Sequence, residues 1–153
     1  MSYAVELVNV APTPLLVVRR RARKEELSRV VPDGCGTVWN FIRENGITPR
    51  GRHVAVYRAT ETSALDVEVG VEVGPNAIGG GEVILSATPA GTAATVAHIG
   101  PYSLLSKANE AIKAWCDANQ RQTAGPSWEV YGHWTDDATK LRTDVFYLLK
   151  PAT

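Results

Sequence analysis

The chain has 153 residues, 44% hydrophobic and 21% charged, which fits one globular domain long enough to bury a continuous core. Sixteen Lys and Arg balance sixteen Asp and Glu, so no net charge draws it to nucleic acid or to an anionic membrane. No apolar run approaches the ~20 residues of a membrane helix, the first residues lack the basic stretch and apolar core expected of a signal peptide, and Cys35 and Cys116 lack the close spacing of a metal knuckle or a redox pair. A cytoplasmic protein without cofactor or metal is expected, its two cysteines reading as ordinary free thiols in helical segments, with a disulfide between them as the alternative.

In chain order, residues 5–10 and 15–18 read as strands separated by Pro12-Thr13-Pro14. Residues 25–31 read as a short helical turn that stops at Pro32-Asp33-Gly34. Residues 37–45 then place Val38, Phe41 and Ile42 on one helical face and end at Asn45-Gly46. Residues 53–60 and 65–73 read as strands. In the latter, Leu65, Val67, Val69, Val71 and Val73 alternate with Asp66, Glu68, Gly70 and Glu72, the period of a strand with one buried face. Residues 74–81 form a glycine-rich joint. No Gly-Lys-Ser/Thr follows it, so a phosphate-cradling loop is disfavoured. Residues 82–86 and 92–99 are strands, and residues 104–119 form a helix with Leu104, Leu105, Ala108, Ala111, Ile112 and Trp115 as its apolar stripe. Strands at 128–134 and 143–149 complete the order.

The sequence repeats itself. Gly51 to Tyr57 aligns with Gly125 to Tyr131 at an offset of 74, which also pairs Asn45 with Asn119 and Phe41 with Trp115. Thr13-Pro14 and Thr88-Pro89 recur at an offset of 75. The expected fold is α+β: a tandem β-β-α-β-β repeat with pseudo-twofold symmetry, antiparallel sheets and two long helices. One domain of residues 1–153 would hold repeats at about 5–73 and 82–150.

Matched positions in a repeat read as packing; Ala55 against Glu129 is a mismatch in mid-strand. Alternation puts Glu129, Tyr131 and His133 on one face and Trp128, Val130, Gly132 and Trp134 on the other. On a solvated face Glu129 is an ordinary surface charge. In an apolar cavity its carboxylate is costly unless a cation or a hydrogen-bond donor meets it. Both readings are open, and the alanine in the other copy favours the cavity. Trp115 reads as core, and Trp39, lying off the Val38 face, as pocket lining or partly exposed; Tyr57, the mate of Tyr131, fits either role. The basic run from Arg19 to Lys24 is followed at once by Glu25-Glu26, with no helix-turn-helix or zinc module beside it, and reads as a solvated strand end and loop, an interaction patch being the alternative. His53, His98 and His133 show no metal spacing.

Five motifs resemble the GyrI-like small-molecule-binding domain family, the effector-binding domain of multidrug-responsive transcription regulators. They are His98-Ile99-Gly100-Pro101-Tyr102 at the mouth of the second helix, Trp115 to Asn119 closing it, Trp128-Glu129-Val130-Tyr131, the run from Leu141 to Phe146, and the run from Asp66 to Val71. Glu72, Gln120 and Phe146 depart from the family's usual Pro, Gly and Tyr.

The resemblance implies a pocket between the halves, with Glu129 as a buried acid that meets cationic lipophilic compounds. Tyr131, Tyr102, Phe146, Trp39 and Tyr57 are its candidate ligand-binding aromatics. It also implies a stand-alone form, since Met1 leaves no room for preceding DNA-binding helices. The leading expectation is a sequestration or resistance protein for lipophilic, cationic aromatic molecules. A second is a hydrolase of electrophilic cyclopropane-bearing natural products, with Glu129 and Tyr131 catalytic. A third is an inhibitory protein partner of DNA gyrase. No direct nucleic-acid or membrane partner is expected; a protein partner and a homodimer are both open.

Overall fold

The structure is a computed structural model that describes residues 3–151. Its eight principal strands and two long helices are β1 (Glu6–Val10), β2 (Pro14–Ala22), α1 (Leu27–Glu44), β3 (Arg50–Ala59), β4 (Leu65–Val73), β5 (Ile84–Ala87), β6 (Gly91–Ile99), α2 (Leu105–Ala118), β7 (Thr123–Tyr131) and β8 (Arg142–Leu149). The β-β-α-β-β order therefore occurs twice, as the repeat predicts, and the strand pairings within each unit are antiparallel. No helix among the described residues is long and apolar enough to cross a membrane.

The chain forms two compact units whose boundaries differ from those of the sequence repeat. The first unit is Pro12–Thr88, with sheet order β3-β4-β2-β5 and helix α1; the second combines the segment ending at Ala11 with the chain from Pro89, in sheet order β1-β6-β8-β7 with helix α2. The opening strand of each repeat thus belongs to the other repeat's unit: β1 pairs with β6, and β5 pairs with β2.

Within the first unit, α1 buries Val38 and Ile42 on Leu16, Val18, Val71 and Val73. It runs unbroken through Pro32, where the sequence predicts a stop. A proline removes one N–H and typically costs about 3 kcal/mol in a helix interior. Here the carbonyl it orphans is that of Ser28, an exposed residue whose carbonyl can turn to water, and the burial of Val30, Val31, Val38 and Ile42 holds the helix on its sheet. Gly34 is a contact point and not a break. A Cβ there would stand 3.0 Å from Val69 Cβ and 3.3 Å from Val18 Cγ2, so glycine lets the helix lie close to the strands.

Strand β4 also departs from the alternation drawn from its sequence. Val67 to Val71 are all buried, Glu68 included, because β4 is an inner strand and both its faces are covered. Strand β2 runs on to Ala22, so Arg19, Arg20 and Arg21 are strand residues.

In the second unit, α2 sets Ala108, Ile112 and Cys116 on Ala94, Val96, Val145 and Leu149, with Trp115 against the same cluster. Gln120 takes φ 54 just past this helix, matching Gly46 at φ 60 just past α1. A left-handed residue there satisfies the last helical carbonyls, and a non-glycine fills the role at some strain. Strand β7 ends at Tyr131, leaving His133 and Trp134 outside it and exposed.

Candidate functional site

The helix-facing side of the second unit's sheet carries the acid. Glu129 pairs with Val145 in register, and Val145 pairs with Val96. Both valines belong to the cluster beneath α2, so Glu129 faces the helix side. The next row along the strands is Tyr131, Thr143 and His98, and the row on the other flank is Ser127, Tyr147 and Ala94. Strand alternation thus collects a carboxylate, two phenols and an imidazole on one face.

Glu129 is 9% exposed. The Tyr131 hydroxyl donates to its Oε1 at 2.6 Å, a short, charge-assisted bond. The Tyr131 ring meets that of Tyr102 edge-on, centroids 5.8 Å apart and planes at 78°. Tyr102 is put there by the turn before α2. Gly100 adopts φ 140, a conformation open to glycine, and donates its N–H to the Leu141 carbonyl at 2.7 Å. Pro101 then leads into the single 3-10 turn Tyr102–Leu104, leaving Tyr102 exposed.

His98 locks this turn. It is fully buried, with Nε2 3.0 Å from the Pro101 carbonyl and Nδ1 2.9 Å from the Tyr3 hydroxyl. A carbonyl only accepts, so Nε2 carries the proton and donates, and in the neutral ring Nδ1 accepts from Tyr3. Thr143, between His98 and Tyr131, is wholly buried, and its hydroxyl finds no partner among the described residues.

Tyr147 and Asn109 extend the face and were absent from the residues singled out in the sequence. The Tyr147 hydroxyl donates to Asn109 Oδ1 at 2.7 Å, while Asn109 Nδ2 donates to the Leu105 carbonyl at 2.9 Å. Burial pushes the Tyr147 phenol up to about 12, with the negative charges of Glu129 and then Cys116 adding to the effect. Phe146, chosen as an aromatic lining residue, points the other way. It stacks on Trp128 with centroids 5.1 Å apart and planes 6° apart, on the face opposite Glu129. The last strand does supply a tyrosine to the Glu129 side, one residue later. Period-two alternation from Val145, the partner of Glu129, is the signal that selects Tyr147.

Trp39 and Tyr57 belong to the first unit. Ala55, the counterpart of Glu129, is fully buried opposite Val69, with His53 and Tyr57 two residues to either side on the same strand face. The Trp39 ring lies 5.6 Å from that of His53 and under the Arg50 guanidinium at 5.3 Å. Burial lowers the His53 pKa, and its Nδ1 has no partner among the described residues.

Of the six candidate ligand residues, the second unit therefore brings Glu129, Tyr131 and Tyr102 together and turns Phe146 away, while Trp39 and Tyr57 lie in the first unit. No group of three metal-ligating side chains occurs among the described residues. The Glu129 face offers one shielded negative charge, hydroxyl donors and aromatic edges, a set suited to an organic ligand.

Comparison with known proteins agrees with this architecture. A family model described as GyrI-like small molecule binding domain matches residues 3–150. No curated protein matches the sequence. Among solved structures, the fold is similar to the EcmrR C-terminal domain, with TM-score 0.80 and 19% identity over 99% of this chain and 100% of that one. It is similar to SAV2435 bound to tetraphenylphosphonium, with TM-score 0.67 and 12% identity over 98% of this chain and 94% of that one. It is also similar to a hydrolase from Listeria innocua, with TM-score 0.64 and 11% identity over 95% and 91% of the two chains.

Proposed function

The chain belongs to the GyrI-like small molecule binding domain family, and from that premise we propose that it binds lipophilic, cationic aromatic compounds with Glu129 as counter-ion. The observation that carries this reading is a carboxylate 9% exposed on a face of aromatic side chains. A buried carboxylate is costly to keep charged. An organic cation that docks there neutralises it and brings little hydration of its own to remove. Tyr131 and Tyr102 add aromatic contact, each cation–π contact contributing about 0.5–2 kcal/mol. Tyr147 adds a further aromatic surface next to the acid. Few of these contacts are directional, so related cations of different shape would share the site. Tetraphenylphosphonium, bound in the similar SAV2435 structure, is a ligand of this chemical class. Phe146 takes no part in this reading, and Trp39 and Tyr57 are not needed for it.

Calorimetric titration with tetraphenylphosphonium tests it. Saturable binding that weakens tenfold or more in Glu129→Gln, about 1.4 kcal/mol, is the expected result; binding indifferent to that change removes Glu129 from the site. One observation favours a second reading, hydrolysis. The 2.6 Å bond between the Tyr131 hydroxyl and Glu129 is a ready proton-sharing pair. Consumption of an electrophilic cyclopropane-bearing substrate at catalytic protein concentration would select hydrolysis over simple binding.

A further inference from the structure

The arginine run of β2 has a use that a solvated strand end does not need. Arg19 and Arg21 alternate onto the sheet face opposite α1, in register with Glu68 and Asp66 of β4. Across β4, Arg58 of β3 pairs with Asp66 in the same row. These side chains, with Arg20, line a cavity of about 550 Å³ within the first unit. The lining sets four guanidinium groups against two carboxylates, with Glu82 offsetting Arg20 at 2.6 Å, in a protein whose formal charge is zero.

Glu68 is the unusual member. It is 7% exposed, and its neighbours on that face include the fully buried Val17, Val54 and Val56. A valine would fill the position without the desolvation cost of a carboxylate. What Glu68 does instead is accept from Arg19 Nε at 3.0 Å and the Ser86 hydroxyl at 2.7 Å, with Arg58 Nη1 as an ion pair at 3.6 Å. Its charge is met from three sides.

The way the arginines are held decides what they can still do. Arg19 is tied to Glu68 through Nε, and Arg21 to Asp66 through Nε at 3.0 Å. The terminal nitrogens of both make no hydrogen bond to the described residues, so each guanidinium is oriented through its Nε alone, with its Nη groups unspent. Arg20 is different, since both its terminal nitrogens are engaged, with the Arg19 carbonyl and with Glu82. The Cα atoms that carry these two forks, two residues apart on one strand face, stand roughly 7 Å apart. Oriented forks of this kind match tetrahedral oxyanions, whose oxygens accept paired N–H bonds.

We propose that Arg19, Arg21 and Arg58 form a binding site for a phosphoryl group, with Glu68 and Asp66 as positioning residues. The site shares no residue with the Glu129 face, so either reading can fail without the other.

The experiment titrates the full chain with inorganic pyrophosphate, with inorganic phosphate and with phenyl phosphate, following arginine Nε–H resonances, against sodium chloride at matched ionic strength. The expected result is saturable binding of at least one phosphoryl ligand that shifts Arg19 and Arg21. Preference for pyrophosphate assigns an inorganic polyanion, and preference for phenyl phosphate a phosphorylated organic molecule. Arg19→Gln with Arg21→Gln is expected to weaken binding tenfold or more. A response no larger than that to chloride overturns the proposal, as does binding that the double variant retains. Should tryptophan fluorescence show that variant unfolded, Arg19→Lys with Arg21→Lys decides instead. It keeps the charge and a partner for each acid but removes the spare fork, so the same tenfold loss supports the site and undiminished binding overturns it.

Discussion

One residue of register separates Phe146 from Tyr147, and with it the two faces of a sheet. Side chains on a strand alternate strictly, so a shift of one moves an aromatic ring from the Glu129 side to the Trp128 side. The Glu129/Ala55 mismatch was legible in the sequence because the repeat supplies its own control. Tyr147 was not, because its face depends on pairing with β7, a long-range fact. Its environment makes a testable statement. The phenol is raised in the folded state from 10.0 to about 12, so the fold binds this proton more tightly than the unfolded chain does. The corresponding stability is complete below about pH 10 and is lost as pH rises through the folded value near 12. The midpoint of thermal unfolding, followed from pH 9 to 12, is expected to fall less steeply in Tyr147→Phe than in the parent chain. Equal slopes would contradict the burial and charge assigned to Tyr147. Cys35, pushed up to about 12 by burial, adds an alkaline decline common to both proteins.

Helix α1 shows where local rules fail at the level of an element. Pro32 and Gly34 together read as a break, since each disfavours a helix interior. The face that buries Val30, Val31, Val38 and Ile42 overrides them, and Gly34 becomes the place where helix and sheet touch. Two glycines two residues apart should therefore respond oppositely to alanine. Gly36 is exposed, and a Cβ there would meet nothing within 4 Å, so Gly36→Ala is expected to stabilise by about 1 kcal/mol through helix propensity. At Gly34 the same gain is opposed by contact with Val69 Cβ, an atom on a stiff strand that cannot swing aside. Overpacking costs about 1–3 kcal/mol, so Gly34→Ala is expected to be destabilising on balance. Urea unfolding of the two variants checks both signs, and stabilisation at Gly34 would mean that the helix lies farther from its sheet.

For the whole molecule, the repeat in the sequence and the units in space are cut at different places. The internal homology suggests halves at about 5–73 and 82–150, yet β1 completes the second unit's sheet through five register pairs with β6. Tyr3, beside that strand, holds His98 and so the turn that carries Tyr102. A fragment beginning at Pro89 should then be incomplete, with an open β6 edge. Adding a peptide of residues 3–11 in trans is expected to raise its helicity and thermal midpoint, and a scrambled peptide is not. A fragment fully folded without the peptide would show that β1 is dispensable to that unit.

By itself the sequence determined the order of elements, the duplication, the family and the single acid that breaks the repeat, because each rests on local periodicity or on comparison of one segment with another. Only the tertiary structure decided that Glu68 is buried among arginines, that α1 survives its proline, that Tyr147 and not Phe146 joins Glu129, and that the opening strands change units. All four depend on which strand lies beside which. Hydrogen-bond register and burial between residues far apart in the chain settle that, and no window along the sequence contains both partners.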